Sequence, residues 1–265
     1  MKVLKNKLLK YVRILSTRDK AILNTIKICK FIKTDQIKRL HCSNLPTPYS
    51  ASLSAIRALR KLHGYGLIQP LKRRIGGVRA GSSSYVWTLR AAGEELLQMV
   101  DNNPPPNCRK QVFEPTFIFL KHTLAVTELY TYLSTETKLL KAEFEPDCWR
   151  NYSNAYGSNA TLKPDLYAVT SSEKYEDYWF FEIDLDTEAP SRIVRKCESY
   201  GKYYLAGDIQ KQIGVFPKVV WIVTNEKRKL TLQRYIYENI SEYCDLFSVI
   251  ILEELHSLFG NSLCQ

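Results

Sequence analysis

Lys163-Pro-Asp-Leu-Tyr-Ala-Val and Trp179-Phe-Phe-Glu-Ile-Asp-Leu-Asp are the two runs of the sequence that decide the fold of its second half. Both are typical of β-strands, and successive side chains of a strand point to opposite faces, so Glu182 and Asp184 share one face. A hairpin through residues 170–177 brings Asp165 beside Glu182. Carboxylates that converge repel one another unless a cation, a proton or a basic residue lies between them. The two runs therefore predict an acidic patch that needs such a partner.

Charge is distributed unevenly along the 265 residues. Residues 1–110 hold 22 Lys+Arg against 5 Asp+Glu, whereas residues 111–265 hold 16 against 22, which together give the formal net charge of +11. A basic front half indicates a polyanionic partner, and the change of sign indicates two units with different tasks. Three consecutive prolines, at 104–106, stiffen the junction between them. We expect a front domain over residues 1–100, a proline-rich linker over 101–115 and a back domain over 116–265.

Several classes of protein and site are excluded by simpler features. The seven cysteines show no spacing typical of a zinc site, and their odd number fits reduced thiols. Lysines interrupt the first ten residues too often for a signal peptide. No apolar run approaches the roughly 18 residues that a membrane span needs. We expect a cytoplasmic protein that does not contact a membrane.

Three helices followed by a hairpin are predicted for the front domain. The helices begin at Arg18, cover residues 35–41 and cover about residues 50–63, and the strands at 67–71 and 85–89 flank a basic loop. The plan resembles the winged helix-turn-helix proteins, especially in the runs Ala58-Leu-Arg-Lys-Leu-His-Gly-Tyr-Gly-Leu-Ile and Tyr85-Val-Trp-Thr-Leu-Arg-Ala-Ala-Gly. That resemblance implies a third helix in the DNA major groove and a basic wing on the backbone or in the minor groove.

The third helix and the wing carry the residues that would contact double-stranded DNA. One arginine can bond guanine, and the remaining cations can neutralise phosphates. The candidates on the helix and in the wing are Ser50, Ser54, Arg57, Lys61, Lys72, Arg73, Arg74 and Arg79. Two alternatives stay open, namely an ordinary solvated charged face and a winged helix that binds another protein.

The back domain alternates helices and strands around the two acidic runs. A helix at 115–133, a strand at 141–146 and a long loop at 151–160 precede them. A helix at 191–205, a strand at 218–224, a helix at 230–240 and a strand at 247–252 follow. This order resembles the restriction-endonuclease-like PD-(D/E)xK nucleases. We therefore expect an α/β domain with a mixed central sheet, and an α+β protein overall.

The nuclease resemblance implies roles for individual residues. Glu128 matches the acid of the first helix, Asp165 the acid of the Pro-Asp pair and Glu182 the second acid. Asp184 stands where the family has its lysine, and Lys196 on the following helix is the candidate replacement. Asp184 would add a third metal ligand or pair with Lys196. The resemblance implies Mg²⁺ or Mn²⁺ held by Asp165 and Glu182. An inert patch in which the acids form only salt bridges is the alternative.

Roughly residues 15–225 resemble one family, the replication-relaxation proteins of plasmids, phages and integrative elements. Beyond the winged-helix runs, the motifs are Lys121-His-Thr-Leu-Ala-Val-Thr-Glu, Lys163-Pro-Asp, Phe181-Glu-Ile-Asp-Leu-Asp-Thr-Glu, Arg195-Lys-Cys-Glu-Ser-Tyr and Phe216-Pro-Lys-Val-Val-Trp-Ile-Val. The resemblance implies DNA-binding in replication or conjugative mobilisation of such an element. Candidate partners are double-stranded DNA, a relaxase or replication initiator, and a second copy of the chain. A metal-dependent endonuclease or nickase, and a transcriptional regulator with an inactive nuclease-like domain, are the alternative functions.

Overall fold

The chain forms two compact units, the front unit of residues 1–135 and the back unit of residues 136–265. The structure is a computed structural model that describes residues 5–72, 85–101, 114–153, 157–172 and 174–259. Most of the expected linker, and the wing residues Arg73, Arg74 and Arg79, lie outside the described residues.

The front unit begins with four helices and one short strand. These elements are α1 (Lys5–Ile14), α2 (Thr17–Cys29), β1 (Ile32–Lys33), α3 (Thr34–His41) and α4 (Pro48–Gly64). Ser16 caps α2 and Thr47 caps α4, because each hydroxyl accepts from a backbone N–H of the first turn. The three helices expected from the sequence are present. The helix α1 was not expected, because lysines break its apolar pattern.

A three-stranded sheet closes this part of the front unit. The strands β2 (Ile68–Pro70) and β3 (Val86–Leu89) are antiparallel, and β1 pairs with the other edge of β3, which gives the order β1-β3-β2. The helix α5 (Ala91–Val100) follows directly. The expected hairpin strands are therefore confirmed, and β1 adds a third strand.

A long helix, α6 (Phe117–Glu136), packs within the front unit. Its residues Leu120 and Leu124 form a buried cluster with Phe31, Leu71 and Val86. The hydroxyl of Thr127 also donates to the backbone oxygen of Phe31 over 3.1 Å. From the sequence we expect this helix at the start of the back domain, whereas it belongs to the front unit. A proline-rich stretch of sequence indicates that one helix ends before the next begins, but it does not reveal which hydrophobic core the next helix joins.

The back unit opens with five strands in the described residues, and two of them correct an expectation. They are β4 (Leu139–Phe144), β5 (Arg150–Ser153), β6 (Asn159–Leu162), β7 (Leu166–Ser171) and β8 (Glu176–Asp184). The expected long loop at 151–160 is wrong, since β5 and β6 pair antiparallel as a hairpin. Both strands are short and mostly polar, so they lack the apolar alternation that reveals a strand.

Helices and two further strands complete the back unit. The elements are α7 (Pro190–Ala206), α8 (Asp208–Ile213), β9 (Lys218–Val223), α9 (Glu226–Asn239), β10 (Phe247–Ile251) and α10 (Leu255–Phe259). The five-stranded sheet has the order β10-β9-β8-β7-β4, parallel from β10 to β8 and antiparallel from β8 to β4. The expected α+β class with a mixed sheet is confirmed. Within the described ranges, no helix is long and apolar enough to cross a membrane.

Candidate functional site

Asp165 and Glu182 face each other across the β7–β8 ladder, as the sequence predicts. Leu166 pairs with Phe181, so the next position of the antiparallel register places Asp165 opposite Glu182. The Asp165 N–H donates to the Phe181 oxygen over 3.2 Å, and its Oδ2 accepts from the Ile183 N–H over 2.7 Å. Asp165 is 9% exposed and Glu182 1% exposed. Two carboxylates are therefore held side by side in the protein interior.

Lys196 supplies the cation that such a pair requires. Its Nζ lies 2.5 Å from Glu182 Oε2 and 3.9 Å from Asp165 Oδ1. The Tyr200 hydroxyl donates to Glu182 Oε1 over 2.6 Å. Lys196 and Tyr200 are four residues apart and therefore neighbours on one side of α7. Both oxygens of Glu182 thus receive a hydrogen bond from the same helix, and Lys196, the lysine that the nuclease resemblance suggested, points into the patch.

The electrostatics of this cluster follow from its burial. Burial raises the pKa of Glu182 above its ordinary value, with Lys196 opposing the rise and the charge of Asp165 adding to it. Burial, together with Glu182, also raises the pKa of Tyr200 well above its ordinary value. Burial disfavours the charged form of Lys196, but the Glu182 and Asp165 carboxylates outweigh this and raise its pKa. Lys196 is consequently a cation and Tyr200 a neutral donor at physiological pH.

Asp184 belongs to a separate ion pair with Arg228. The Arg228 Nε donates to Asp184 Oδ2 over 2.6 Å, and its Nη2 donates to the backbone oxygen of Glu188 over 2.6 Å. Arg228 is 9% exposed, so the guanidinium is enclosed where α9 begins. Sequence reasoning missed this residue, because Lys227, Arg228 and Lys229 are three consecutive cations and nothing marks which one turns inward.

The carboxylates of the patch could supply some, but not all, of the oxygen ligands that a divalent cation such as Mg²⁺ requires. Mg²⁺ is commonly bound by one or two carboxylates together with substrate phosphates. Asp165 and Glu182 meet that requirement, whereas Asp184 is occupied by Arg228. No group of three or more His, Cys, Asp or Glu side chains in the described residues is placed to hold a metal ion. A cation would therefore rely on two carboxylates, and Lys196 would have to yield the Glu182 oxygen that it now contacts.

Glu128, the expected helix acid, makes its bonds inside the front unit. Its Oε1 and Oε2 accept from Arg39 Nη2 over 2.6 and 2.7 Å, and Oε2 also accepts from Gln36 Nε2 over 2.8 Å. These bonds join α6 to α3. Their donors are 89 and 92 residues away along the chain, and such a separation leaves no signal in the sequence.

Some residues on the expected DNA-binding face of α4 are open to solvent, and others make contacts within the front unit. Arg57 is exposed and Ser54 half-buried, and the structure adds the exposed Arg60. Ser50 is part of the capping box of α4, and the Lys61 ammonium pairs with the buried carboxylate of Asp19. Lys72, the one described residue of the expected basic wing, is exposed.

The replication-relaxation family model matches residues 23–219, about three quarters of the chain. The chain belongs to the replication-relaxation family. Membership indicates a role in the replication or relaxation of a plasmid or other mobile element. Comparisons with curated proteins and with solved structures found no match.

Both candidate regions of this replication-relaxation protein lie inside the matched range, whereas Arg228 lies outside it. Residues 23–219 include the whole of α4 and the cluster of Asp165, Glu182, Lys196 and Tyr200. The range ends at Val219, so it includes Asp184 but stops before the arginine that neutralises it.

Proposed function

We propose that this protein binds double-stranded DNA through its front unit and acts in the replication or conjugative mobilisation of a plasmid or integrative element. One observation carries the DNA-binding part. The helix α4 presents Arg57 and Arg60 to solvent, in a unit where residues 1–135 hold 23 Lys+Arg against 7 Asp+Glu. Such a surplus attracts a polyanion through counterion release. Family membership supports the part about replication and mobilisation.

The element order supports a winged-helix interpretation of the front unit. The helices α2 and α3 come directly before α4 in the helix order, and the antiparallel strands β2 and β3 flank the basic run of residues 72–84. In winged helices of this order, the helix in the position of α4 enters the major groove. Arg57 would then read base edges, because a guanidinium matches the two acceptors of guanine, and Arg60 would contact phosphate.

The test measures binding of fluorescently labelled plasmid duplexes by the double variant Arg57→Ala/Arg60→Ala over a range of salt concentrations. We expect weaker binding and a salt slope smaller by about 1, since Arg60 is the phosphate contact of the two and each phosphate contact contributes about 1. Lys5→Ala/Lys7→Ala is the matched control, because it removes two exposed charges from α1 of the same unit. Equal binding by the two double variants would contradict the assignment of α4 as the DNA-binding helix.

A second candidate function, metal-dependent cleavage or nicking of DNA, is favoured by the pairing of Asp165 and Glu182 with Lys196 between them. In this interpretation the back unit has a restriction-endonuclease-like fold. Mg²⁺ or Mn²⁺ would be held by the two carboxylates and would supply water activation and stabilisation of charge on the phosphate. Lys196 would remain beside the site as a second positive charge, and Tyr200 would fix the orientation of Glu182.

Cleavage of supercoiled plasmid with Mg²⁺ or Mn²⁺ tests the second candidate. We expect Asp165→Asn to abolish cleavage and Asp177→Asn to leave it unchanged, because Asp177 is an exposed acid at the far end of the same ladder. Cleavage should rise with pH, since the raised pKa of Glu182 means that its carboxyl group must lose a proton before it can bind a metal. No cleavage at any pH, with duplex binding intact, would leave a DNA-binding protein or a transcriptional regulator.

A further inference from the structure

One tryptophan of the back unit is exposed beside a lysine. Trp149 is 37% exposed, whereas Trp87, Trp179 and Trp221 are 7%, 8% and 2% exposed. The Lys163 Nζ lies 4.4 Å from the centre of the Trp149 ring, a cation–π contact, and Lys163 is itself exposed. Exposing part of a large aromatic ring forgoes stabilisation by burial, so the position needs an explanation other than core packing.

The backbone that carries Trp149 is fixed by neighbouring residues. Its N–H donates to the Pro146 oxygen over 3.0 Å, and its oxygen accepts from Arg150 Nη1 over 3.2 Å. Arg150 is fixed in turn, since its Nη2 lies 2.5 Å from Glu143 Oε2 and its guanidinium 4.7 Å from the centre of the Tyr167 ring. The indole is therefore an exposed ring on a rigid support, which lowers the entropy cost of binding a ligand.

The Trp149–Lys163 pair adjoins the carboxylate cluster. The Cys148 thiol donates to the Pro164 oxygen over 3.0 Å and so connects the two chain segments. Lys163 is separated from Asp165 only by Pro164, and two residues span at most about 7 Å of chain. Trp149 and Lys163 are therefore attached to the same stretch of backbone as Asp165, which pairs with Glu182.

The local charge differs from that of the surrounding unit. Residues 136–265 hold 15 Lys+Arg against 20 Asp+Glu, yet residues 148–164 contain no acid and two cations, Arg150 and Lys163. Arg150 is paired with Glu143, and the exposed Asp147 precedes the segment, so Lys163 is the cation that a phosphate would meet beside the indole. An aromatic ring beside a cation in such a setting matches a nucleotide, whose base offers a π-face and whose phosphate offers a negative charge.

We propose that Trp149 and Lys163 form a subsite for single-stranded DNA, in which a base stacks on the indole and Lys163 neutralises an adjacent phosphate. The inference rests on the proposed function, because it requires DNA to reach the back unit. A duplex keeps its base faces inside the helical stack, so the indole needs an unpaired strand. The subsite gives a protein of DNA replication or relaxation a means to hold a melted strand beside the carboxylate cluster.

The test uses the full chain, oligodeoxythymidylate as the probe, and two readouts. Binding should quench tryptophan fluorescence, and Trp149→Phe should lose the quenching because the other three tryptophans are buried. Anisotropy of a labelled strand should show Trp149→Ala binding roughly 5- to 150-fold more weakly, the usual loss for one stacked base. Trp149→Phe should lose less, because phenylalanine still stacks. Lys163→Ala should lower the salt slope by about 0.7.

Tyr175→Ala is the matched control, because Tyr175 is 73% exposed and lies in the β7–β8 connection of the same unit. Quenching that persists in Trp149→Phe, or equal single-strand binding by Trp149→Ala and Tyr175→Ala, would overturn the subsite. Duplex binding is measured in parallel with the α4 variants. If Trp149→Ala binds the single strand as well as Tyr175→Ala does, and the wild-type protein binds duplex DNA, the subsite alone is rejected. If the wild-type protein binds neither single-stranded nor duplex DNA, the proposed function is rejected as well.

Discussion

The front and back units of this protein use the same cationic residue types in opposite ways. In the front unit, Arg57 and Arg60 lie exposed on α4 and make no ion pair with any residue that the structure describes. In the back unit, Lys196 and Arg228 turn inward onto carboxylates that are 1% to 9% exposed. An exposed cation contributes little to stability but much to polyanion binding. Arg228 is buried and Lys196 half-buried, and the buried carboxylates depend on these two cations because an unpaired charge in the interior is costly.

The net charge of +11 therefore combines two kinds of cation, those exposed to a polyanion and those that neutralise buried carboxylates. Changes on α4 should alter DNA affinity and leave folding intact, whereas changes in the Glu182 and Asp184 pairs should alter folding first. Lys61 tests the boundary between the two classes, because it lies on α4 but bonds a buried acid. Three substitutions examine the contrast, in decreasing order of expected effect.

Arg228→Met should have the largest effect on stability. It leaves the Asp184 carboxylate buried without a cation, and breaking a buried pair in this way costs about 3–5 kcal/mol of the free energy of unfolding. Urea unfolding measures the loss, with Arg234→Met as the control, since Arg234 has a 65% exposed side chain on the same helix. Adding Asp184→Asn to Arg228→Met should recover part of the loss. A loss below about 1 kcal/mol would show that the pair is not essential to the back unit.

Tyr200→Phe should cost less, because it removes one of the two donors to Glu182 and leaves the Lys196 contact in place. A buried acceptor that loses its donor typically costs about 1–3 kcal/mol. Tyr204→Phe is the control, since Tyr204 is 38% exposed and lies one turn further along α7. Equal unfolding midpoints for the two variants would mean that Lys196 alone satisfies Glu182.

The sequence predicted those contacts that short-range geometry determines. Asp165 meets Glu182 because a hairpin of defined register connects their strands. Lys196 was expected only from the nuclease resemblance, and it reaches the pair because α7 follows β8 directly. Whether these residues bind a metal or cleave DNA remains a prediction. The main helices and strands were likewise visible as apolar periodicities.

The contacts that the sequence did not reveal join residues far apart in the chain. Asp184 and Arg228 are 44 positions apart, and Asp19 and Lys61 are 42 apart. In each case several neighbouring cations in the sequence could have paired with the acid. Which of them does so depends on how whole helices pack. The β5–β6 hairpin was missed for a different reason, because its strands carry too few apolar residues to produce a pattern.

Lys61→Met should have the smallest effect on stability of the three. The Lys61 ammonium bonds Asp19, which is 1% exposed and also accepts from Ser16 in the capping box of α2. The Lys61 side chain is 40% exposed, so solvent screens the pair and we expect a loss of only about 1 kcal/mol at neutral pH. Arg57→Met, the control on the same helix, should change stability by less than about 0.5 kcal/mol.

The pH dependence of this loss decides whether it comes from the Asp19 pair or from lost packing. Burial raises the pKa of Asp19, but the bonds from Lys61 and Ser16 outweigh it and hold the pKa below its ordinary value of 3.8. An acid with a lowered folded pKa stabilises the protein above its unfolded pKa, and the contribution disappears as the pH falls through the folded value. The wild-type protein should therefore lose its advantage over Lys61→Met below about pH 4. If the stability difference between the wild-type protein and Lys61→Met instead stays constant at acidic pH, Lys61 stabilises the protein through the packing of its aliphatic chain. Its charge would then act like the other surface charges of α4.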